Sequence, residues 1–582
     1  MITLRAKKYL TNSQLLLLLG IFLFAIYPLW LTATQRADSH DTSQAAIRVG
    51  LTKPIETTLP IDYPWPSTRT ISAAVHRGLH STDGDGRPLL VESIPTLDNG
   101  GVRYEGTRVT ITYHLRNGLR WSDGRAVTSS DVKFTFNFME RVANTAGSQH
   151  SAVERIDTPD DRTVVVTTRP GRPLVDLDRL LSGVVLPEHV LRGMTKEDLD
   201  TSIFPLRPVG LGPYVVTEWR YVGETSEYDR SGVKAVSPND LWPAIQVITL
   251  EANPFFAGRR PASERIIVSV IPDERRLIEE FISGTIDIVS DDSLLVSLEE
   301  IDRIQIDGLV ATAPGFKWER LDFNLQHPAL GDSRVRKAIA HAINRERLVN
   351  EALGAFGSVM SSWLPSSHWA HTPVLQEYTY DPGYASRLLS EAGYVSDKDG
   401  FASRNGQHLM LTLYVATGND VRWRVANLIR DDLRNIGISV TVRPIAAEAL
   451  LGPRGLLASH TFDLALFSWE MDTIESDAIN LWHSASIPSI SNNWHGDNFS
   501  GWTHPANDSL LEKSAAAHTL TERFTIYHRQ QELFASSLPV LPLFEYQRVA
   551  LVSSRIEGFS LLAGQMSCMW NVEEWRRVGN ES

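Results

Sequence analysis

Between residues 108 and 142 the chain changes from one hydrophobic period to another. Val109, Ile111 and Tyr113 alternate with Arg108, Thr110, Thr112 and His114, the two-residue period of a half-buried strand. The loop Leu119-Arg120-Trp121-Ser122-Asp123-Gly124 then predicts a turn closed at Gly124. Thr128-Ser129-Ser130-Asp131 follows as a capping box. Its Thr128 hydroxyl is expected to accept from the Asp131 amide, and the Asp131 carboxylate to reach back, opening a helix that runs to about Arg141.

The helical period returns after Asp332, with Val335, Ala338, Ile339, Ala342 and Ile343 on one face and Arg334, Arg336 and Lys337 mostly off it. Asp381-Pro382 predicts another helix start, because Asp caps and Pro fits a first turn whose N–H groups lack partners anyway. Ala385, Leu388, Leu389 and Ala392 make its stripe, and Gly393 its stop. Leu411, Leu413 and Val415 then mark a strand. Val425, Leu428, Ile429, Leu433 and Ile436 mark a helix ended by Gly437. Ile438, Val440 and Val442 mark a second strand, and residues 462–467 a third. This alternation predicts an α/β architecture, and the polar alternate positions predict mixed sheets.

At the N-terminus, Arg5, Lys7 and Lys8 precede an apolar run over residues 15–31, followed by polar residues. That order is an export signal, and the run is near the short limit for spanning a bilayer. It reads as a signal or membrane anchor over residues 1–34, with the positive flank inside and the rest of the chain outside. Residues 35–60, rich in Gln, Ser, Thr and Pro, read as a linker to the body.

A length of 582 residues implies two to four domains. The net charge of -13 argues against a nucleic-acid partner. The single cysteine, Cys568, excludes an intrachain disulfide and a cysteine-cluster metal site. His76 and His80 lie four apart without a third ligand nearby. Asp83-Gly84-Asp85-Gly86 and Asp397-Lys398-Asp399-Gly400 lack the distal Glu of a calcium loop and read as hairpin turns. No metal and no cofactor is expected. With no nucleophile elbow, P-loop or dinucleotide fingerprint, the balance shifts from catalysis to binding.

Several segments in order resemble the family 5 extracytoplasmic solute-binding proteins of peptide and nickel ABC importers. The most specific is Ile111-Thr112-Tyr113-His114-Leu115-Arg116-Asn117-Gly118-Leu119-Arg120-Trp121-Ser122-Asp123-Gly124, continuing through Val127-Thr128-Ser129-Ser130-Asp131-Val132. Pro208-Val209-Gly210-Leu211-Gly212-Pro213-Tyr214 is similar to the family's Gly-x-Gly-Pro-Tyr turn, and Gly284-Thr285-Ile286-Asp287 to its Gly-x-x-Asp element. Phe323-Asn324, Arg334-Val335-Arg336-Lys337-Ala338-Ile339 and Ile343-Asn344-Arg345 resemble its central helix, with Asn344 where Asp is usual. Tyr380-Asp381-Pro382 through Ala392-Gly393-Tyr394 resembles the next one.

The resemblance implies a periplasmic-binding-protein-like type II fold of the cluster C type, with two main lobes, a hinge and an inserted small domain. Lobe I is expected to be discontinuous, over residues 61–101, 201–319 and 526–582. The insert is expected over 102–200 and lobe II over 320–525. The implied function is that of the substrate-binding subunit of an ABC importer. It would be a monomer outside the cytoplasm, not an enzyme, and would deliver short peptides to permease and ATPase subunits. An oligosaccharide ligand on the same fold is the alternative.

In dipeptide-binding relatives a Gly-Trp-x-x-Asp stretch follows a strand, and its Asp pairs with the ligand ammonium. The similar stretch here is Ser468-Trp469-Glu470-Met471-Asp472, with Glu475-Ser476-Asp477 where the relatives carry Asp-Pro. The resemblance therefore implies Asp472 as the ammonium partner, Trp469 as an apolar wall and Glu470 as the neighbouring acid. Asn498-Phe499-Ser500-Gly501 resembles a segment near the family's cleft. With Trp482 and Trp494 it adds Asn498 and Phe499 to the expected ligand-binding set. Arg334 and Arg336 are expected in structural ion pairs.

Overall fold

The computed structural model describes residues 46–578 apart from 61–65, 82–85, 107, 143–152, 170–182, 223–227, 230–244, 292–309, 374–377, 472–476, 518–519 and 564–566. The predicted membrane segment lies outside them. Among the described residues no helix is long and apolar enough to cross a membrane.

The strands in chain order are β1 (Ile47–Leu51), β2 (Val102–Glu105), β3 (Arg108–His114), β4 (Val153–Asp160), β5 (Thr163–Thr168), β6 (Tyr214–Val222), β7 (Tyr228–Asp229), β8 (Ile245–Ala252), β9 (Arg265–Val270), β10 (Ile288–Val289), β11 (Val310–Phe323) and β12 (Gly357–Val359). They continue with β13 (Val395–Ser396), β14 (Ala402–Arg404), β15 (Gln407–His408), β16 (Met410–Ala416), β17 (Ser439–Ile445), β18 (Leu464–Glu470) and β19 (Val540–Val552). One sheet runs β17-β16-β18-β11-β19-β10-β1-β9-β8-β6-β7, with β12 on the side of β19. It mixes parallel pairs such as β16–β17 and β1–β9 with antiparallel pairs such as β11–β19.

Two cores flank this sheet. The first gathers Ile47, Val49, Ile71, Val75, Tyr214, Ile248, Val268, Ile288, Cys568 and Trp575, so chain segments from both ends build lobe I. Cys568 is fully buried, with its sulfur 3.3 Å from the Ser290 hydroxyl. The second core belongs to lobe II and packs the helices Ser333–Ala342, Pro382–Glu391 and Asp420–Arg434 on the sheet. Asp332 accepts from the Arg334 amide and Asp381 from the Tyr384 amide, as the cap signals predict. A separate sheet, β2-β3-β5-β4, forms the small insert, and its core also takes Leu79, Leu90 and Val91.

Three expectations need correction. Residues 46–60 are not a linker, because β1 sits between β10 and β9 with Ile47, Val49 and Leu51 fully buried. The polar composition around β1 hid a strand too short to dominate it. The lobe boundary at 525/526 cuts through the helix Leu520–Ser537, whose Tyr527 and Phe534 pack with Trp363 and Trp482 of lobe II. At the helix Ser129–Val142, Asp131 accepts from the Thr128 backbone amide at 2.9 Å. The Thr128 hydroxyl lies 3.4 Å from the same carboxylate as a donor, so only half of the expected box forms.

Two of the segments that resemble family motifs lie against each other. The Gly212 amide bonds the Val75 carbonyl at 3.0 Å, and the Ser122 amide bonds the Gly210 carbonyl at 3.0 Å. A Cβ on Gly212 would come within 2.4 Å of the Ala74 carbonyl oxygen, so this backbone seam between lobe I and the insert requires glycine. The Asp397–Gly400 turn joins β13 to β14, with the Asp397 carboxylate accepting from the amides of Asp399 and Phe401.

Candidate functional site

Among the described residues, the long strands β11 and β19 pass from one lobe to the other. The first half of β11, Val310 to Pro314, pairs with β19 from Leu551 to Gln547 on the lobe I side. Its second half, Trp318 to Asp322, pairs with β19 from Glu545 to Val540 and with β18. The register shifts between Pro314 and Trp318, and again between Glu319 and Arg320. Such irregularities bend and twist a strand locally, and here they coincide with the passage between lobes. β18 ends at this crossing, with Trp469 opposite Trp318 and Glu470 opposite Lys317.

The two faces of β11 carry different chemistry. On one face Glu319 is fully buried and holds three groups together. Arg422 Nε donates to Glu319 Oε1 at 2.5 Å and Nη2 to Oε2 at 3.2 Å, while the Tyr546 hydroxyl donates to Oε2 at 2.7 Å. Arg422 Nη2 also reaches the Ser468 hydroxyl at 2.9 Å. Burial, reinforced by the Glu319 charge, drives the Tyr546 phenol well above its ordinary pKa, so it stays a donor. β11, β18, β19 and the helix Asp420–Arg434 are thereby locked at one point.

On the other face Arg320 and Asp322 form a fully buried bidentate pair at 2.6 and 2.7 Å. The guanidinium carbon lies 5.3 Å from the Trp318 ring, 5.0 Å from Phe467, 5.8 Å from Trp469 and 5.1 Å from Trp482. An aromatic box of this kind offsets part of the cost of burying the charge.

The expected ligand residues divide accordingly. Asp472 lies outside the described residues. Trp469 is partly buried beside the crossing, and Glu470 is exposed. The Glu470 carboxylate lies 3.6 Å from the Arg69 guanidinium of the lobe I helix Pro66–Val75, so this pair bridges the two lobes. Trp494 is partly buried at a left-handed backbone position, φ 63°, on the loop after residue 490.

Trp482, Asn498 and Phe499, expected in the ligand-binding set, occupy buried positions. Trp482 packs edge-on against Trp363 and Phe534, and Phe499 against Phe467. The Asn498 amide donates to the carbonyls of His483 and Trp502 and accepts from the Trp502 amide and the Ser500 hydroxyl. Arg334 pairs with Asp332 at 2.7 Å, as expected. Arg336 instead donates to four carbonyls, those of Leu330, Gly331, Ser537 and Leu538, and burial lowers its pKa to about 10.

Lys317, Glu319, Arg422, Tyr546 and Arg69 were missed. They are far apart in sequence. The available signal was the set of charges Lys317, Glu319, Arg320 and Asp322 within a stretch bounded by Phe316 and Phe323.

The profile of the bacterial extracellular solute-binding proteins, family 5 Middle, matches residues 88–486. The oligopeptide-binding protein AppA of Bacillus subtilis is 23% identical over 495 residues, covering 84% of this chain and 82% of AppA. The solved structure of AppA from Bacillus subtilis in complex with a nonapeptide matches with a TM-score of 0.67 at 20% identity, over 92% of this chain and 99% of that one. NikZ from Campylobacter jejuni in complex with Ni(L-His) matches with a TM-score of 0.70 at 21% identity, over the same shares. Two lobes joined by crossing strands, an inserted small sheet and a profile match over most of the chain agree: this chain belongs to the bacterial extracellular solute-binding proteins of family 5.

Proposed function

We propose that this protein captures short peptides outside the cytoplasm and delivers them to the permease of an ABC importer, whose ATPase subunits supply the energy. The observation that carries the reading is the strand crossing, where β18 ends between two lobes already bridged by Arg69 and Glu470. Hinges between lobes enclose a solute by small changes in a few connecting residues. In this reading the Asp472 carboxylate takes the peptide's terminal ammonium, Trp469 forms an apolar wall and Glu470 sets the negative potential beside them. A charge pair shut away from water binds well when its hydrogen bonds are complete. The family relationship and the peptide-binding relative AppA support the choice of ligand.

A sugar-binding reading would need several stacking platforms, and the burial of Trp482 removes one. In the same proposal, residues 15–31 direct export and hold the chain at the membrane. Fractionation of cells expressing the full chain tests this, and protein released wholly into the soluble extracytoplasmic fraction excludes the anchor.

Calorimetry with free and N-acetylated peptides tests the central claim. Acetylation is expected to weaken binding at least about tenfold, the loss of one well-placed charge-assisted contact. Equal affinities would remove Asp472 from the site.

A further inference from the structure

The bend in β11 is held from outside the β11–β19 ladder. Register with β19 stops at Pro314, opposite Gln547, and resumes at Trp318, opposite Glu545. Between these points the Gly315 carbonyl accepts from the Ser367 hydroxyl at 3.1 Å, and the Phe316 carbonyl from the Met471 amide at 3.1 Å. On β19 the buried Glu545 carboxylate accepts from the Ser366 amide at 2.7 Å, from the Ser366 hydroxyl, and from the Ser358 hydroxyl of β12 at 2.9 Å. The His368 ring lies 5.9 Å from the Phe316 ring. Three consecutive residues, Ser366, Ser367 and His368, thus touch both crossing strands at the bend.

The base of this segment is fixed in lobe II. The Trp363 indole donates to Gln530 Oε1 at 2.8 Å and the Ser362 hydroxyl to Gln531 Oε1 at 2.7 Å, while Gln531 Nε2 donates to the Ala370 carbonyl at 2.8 Å. Both glutamines lie on the helix Leu520–Ser537. The segment is therefore tied down on either side of its tip, where Ser366 is exposed and Ser367 half-buried.

Turning lobe I against lobe II changes the backbone angles where the ladder is broken, because an intact ladder resists the change. Such a turn re-aims the Gly315 carbonyl. A hydroxyl fixed in lobe II meets that carbonyl over a narrow range of directions only. At the angle that satisfies this bond, the Arg69 and Glu470 side chains also meet across the lobes.

We propose that residues 366–368 are a strap that sets the resting angle of the hinge and favours the arrangement in which the lobes touch, with Ser367 as its positioning residue. This rests on the reading that a solute is enclosed between the lobes, and adds what holds them near one another before it arrives. Loss of the one hydrogen bond should shift the balance of near and far arrangements about threefold to tenfold.

The test is the distance between two nitroxide labels on the full chain in detergent, measured by pulsed electron spin resonance without added solute. Arg260→Cys in lobe I and Val395→Cys in lobe II supply exposed attachment points. Ser367→Ala is expected to deplete the shorter separations at least about threefold, and Ser367→Thr, which keeps the hydroxyl, to restore them. A distance distribution unchanged by Ser367→Ala overturns the inference, even where the melting temperature falls, because the serine then only packs. A shift toward shorter separations overturns it as well, as does a Ser367→Thr variant that behaves like alanine. If Ser367→Ala fails to fold, the exposed Ser366→Ala carries the same test with the same outcomes.

Calorimetry with trialanine separates this inference from the proposed function. Ser367→Ala should weaken trialanine binding by the factor by which it depletes the near arrangement, since only that fraction is competent to bind. Failure of the native chain to bind free alanine peptides two to five residues long sinks the peptide reading, while the label distances, taken without solute, still decide the strap.

Discussion

Asp287 shows what a single buried carboxylate does in lobe I. It is fully buried, takes the Arg48 backbone amide at 2.9 Å, and faces the guanidinium groups of Arg48 at 3.0 Å, Arg577 at 3.2 Å and Arg555 at 3.4 Å. Its match to the family's Gly-x-x-Asp element is therefore architectural: it ties β1 to the C-terminal segment. Glu319 has the same standing at the crossing. Replacing Glu319 with Ala leaves the Arg422 charge buried without its partner, and the expected cost is about 3–5 kcal/mol in denaturant unfolding. A loss below about 1 kcal/mol would mean that the network contributes little.

His76 and His368 are buried and neutral, with burial lowering their pKa values to about 3 and about 4. The unfolded chain takes up protons on both near pH 6.5, and the folded chain does not. Stability from these groups is complete above pH 6.5 and falls as the pH drops toward 4 and then 3. Each contributes a slope of up to about 1.4 kcal/mol per pH unit. The His76→Gln, His368→Gln double variant should give a flatter curve of unfolding midpoint against pH across that window.

At the scale of elements, local signals carried far. The stripe Val335, Ala338, Ile339 and Ala342 is fully buried, and Asp381 caps its helix as its position before Pro382 predicts. Asp381→Ala should cost about 1 kcal/mol, read from thermal or denaturant melts. Elements defined by long-range packing were illegible. β1 is half the length of an amphipathic signal and reads as linker. The strand Val310–Phe323 carries Lys317, Glu319, Arg320 and Asp322, whose burial depends on Arg422, Tyr546 and one another, not on alternation. Trp482, Asn498 and Phe499 drew attention as aromatic and amide groups near the implied cleft, but nothing local distinguishes a core tryptophan from a ligand platform.

Gly315 lies in the register shift of β11, and a Cβ there would come within 2.6 Å of the Tyr546 carbonyl oxygen. Gly315→Ala should push the crossing strands apart, lowering stability by about 1–3 kcal/mol. It should also change the ligand-dependent shift in radius of gyration measured by solution scattering. An unchanged shift would place the bending elsewhere.

For the whole molecule, continuity of the sheet is the governing fact. Because β11 and β19 belong to both halves, the lobes share a covalent and hydrogen-bonded seam. The Arg69–Glu470 bridge is partly exposed, so its contribution to stability is small, about 0–1 kcal/mol. Its effect is expected on the lifetime of the enclosed state. Arg69→Ala should raise the peptide dissociation rate severalfold in stopped-flow experiments while leaving the melting temperature nearly unchanged.

The sealed position of Cys568 gives the chain a built-in clock for the opening of lobe I. It is the sole cysteine, buried among residues brought from both ends of the sequence. A maleimide can reach its sulfur only after this core opens. The rate of modification, followed by mass as denaturant or bound solute is varied, therefore times the opening of this core, with no label introduced.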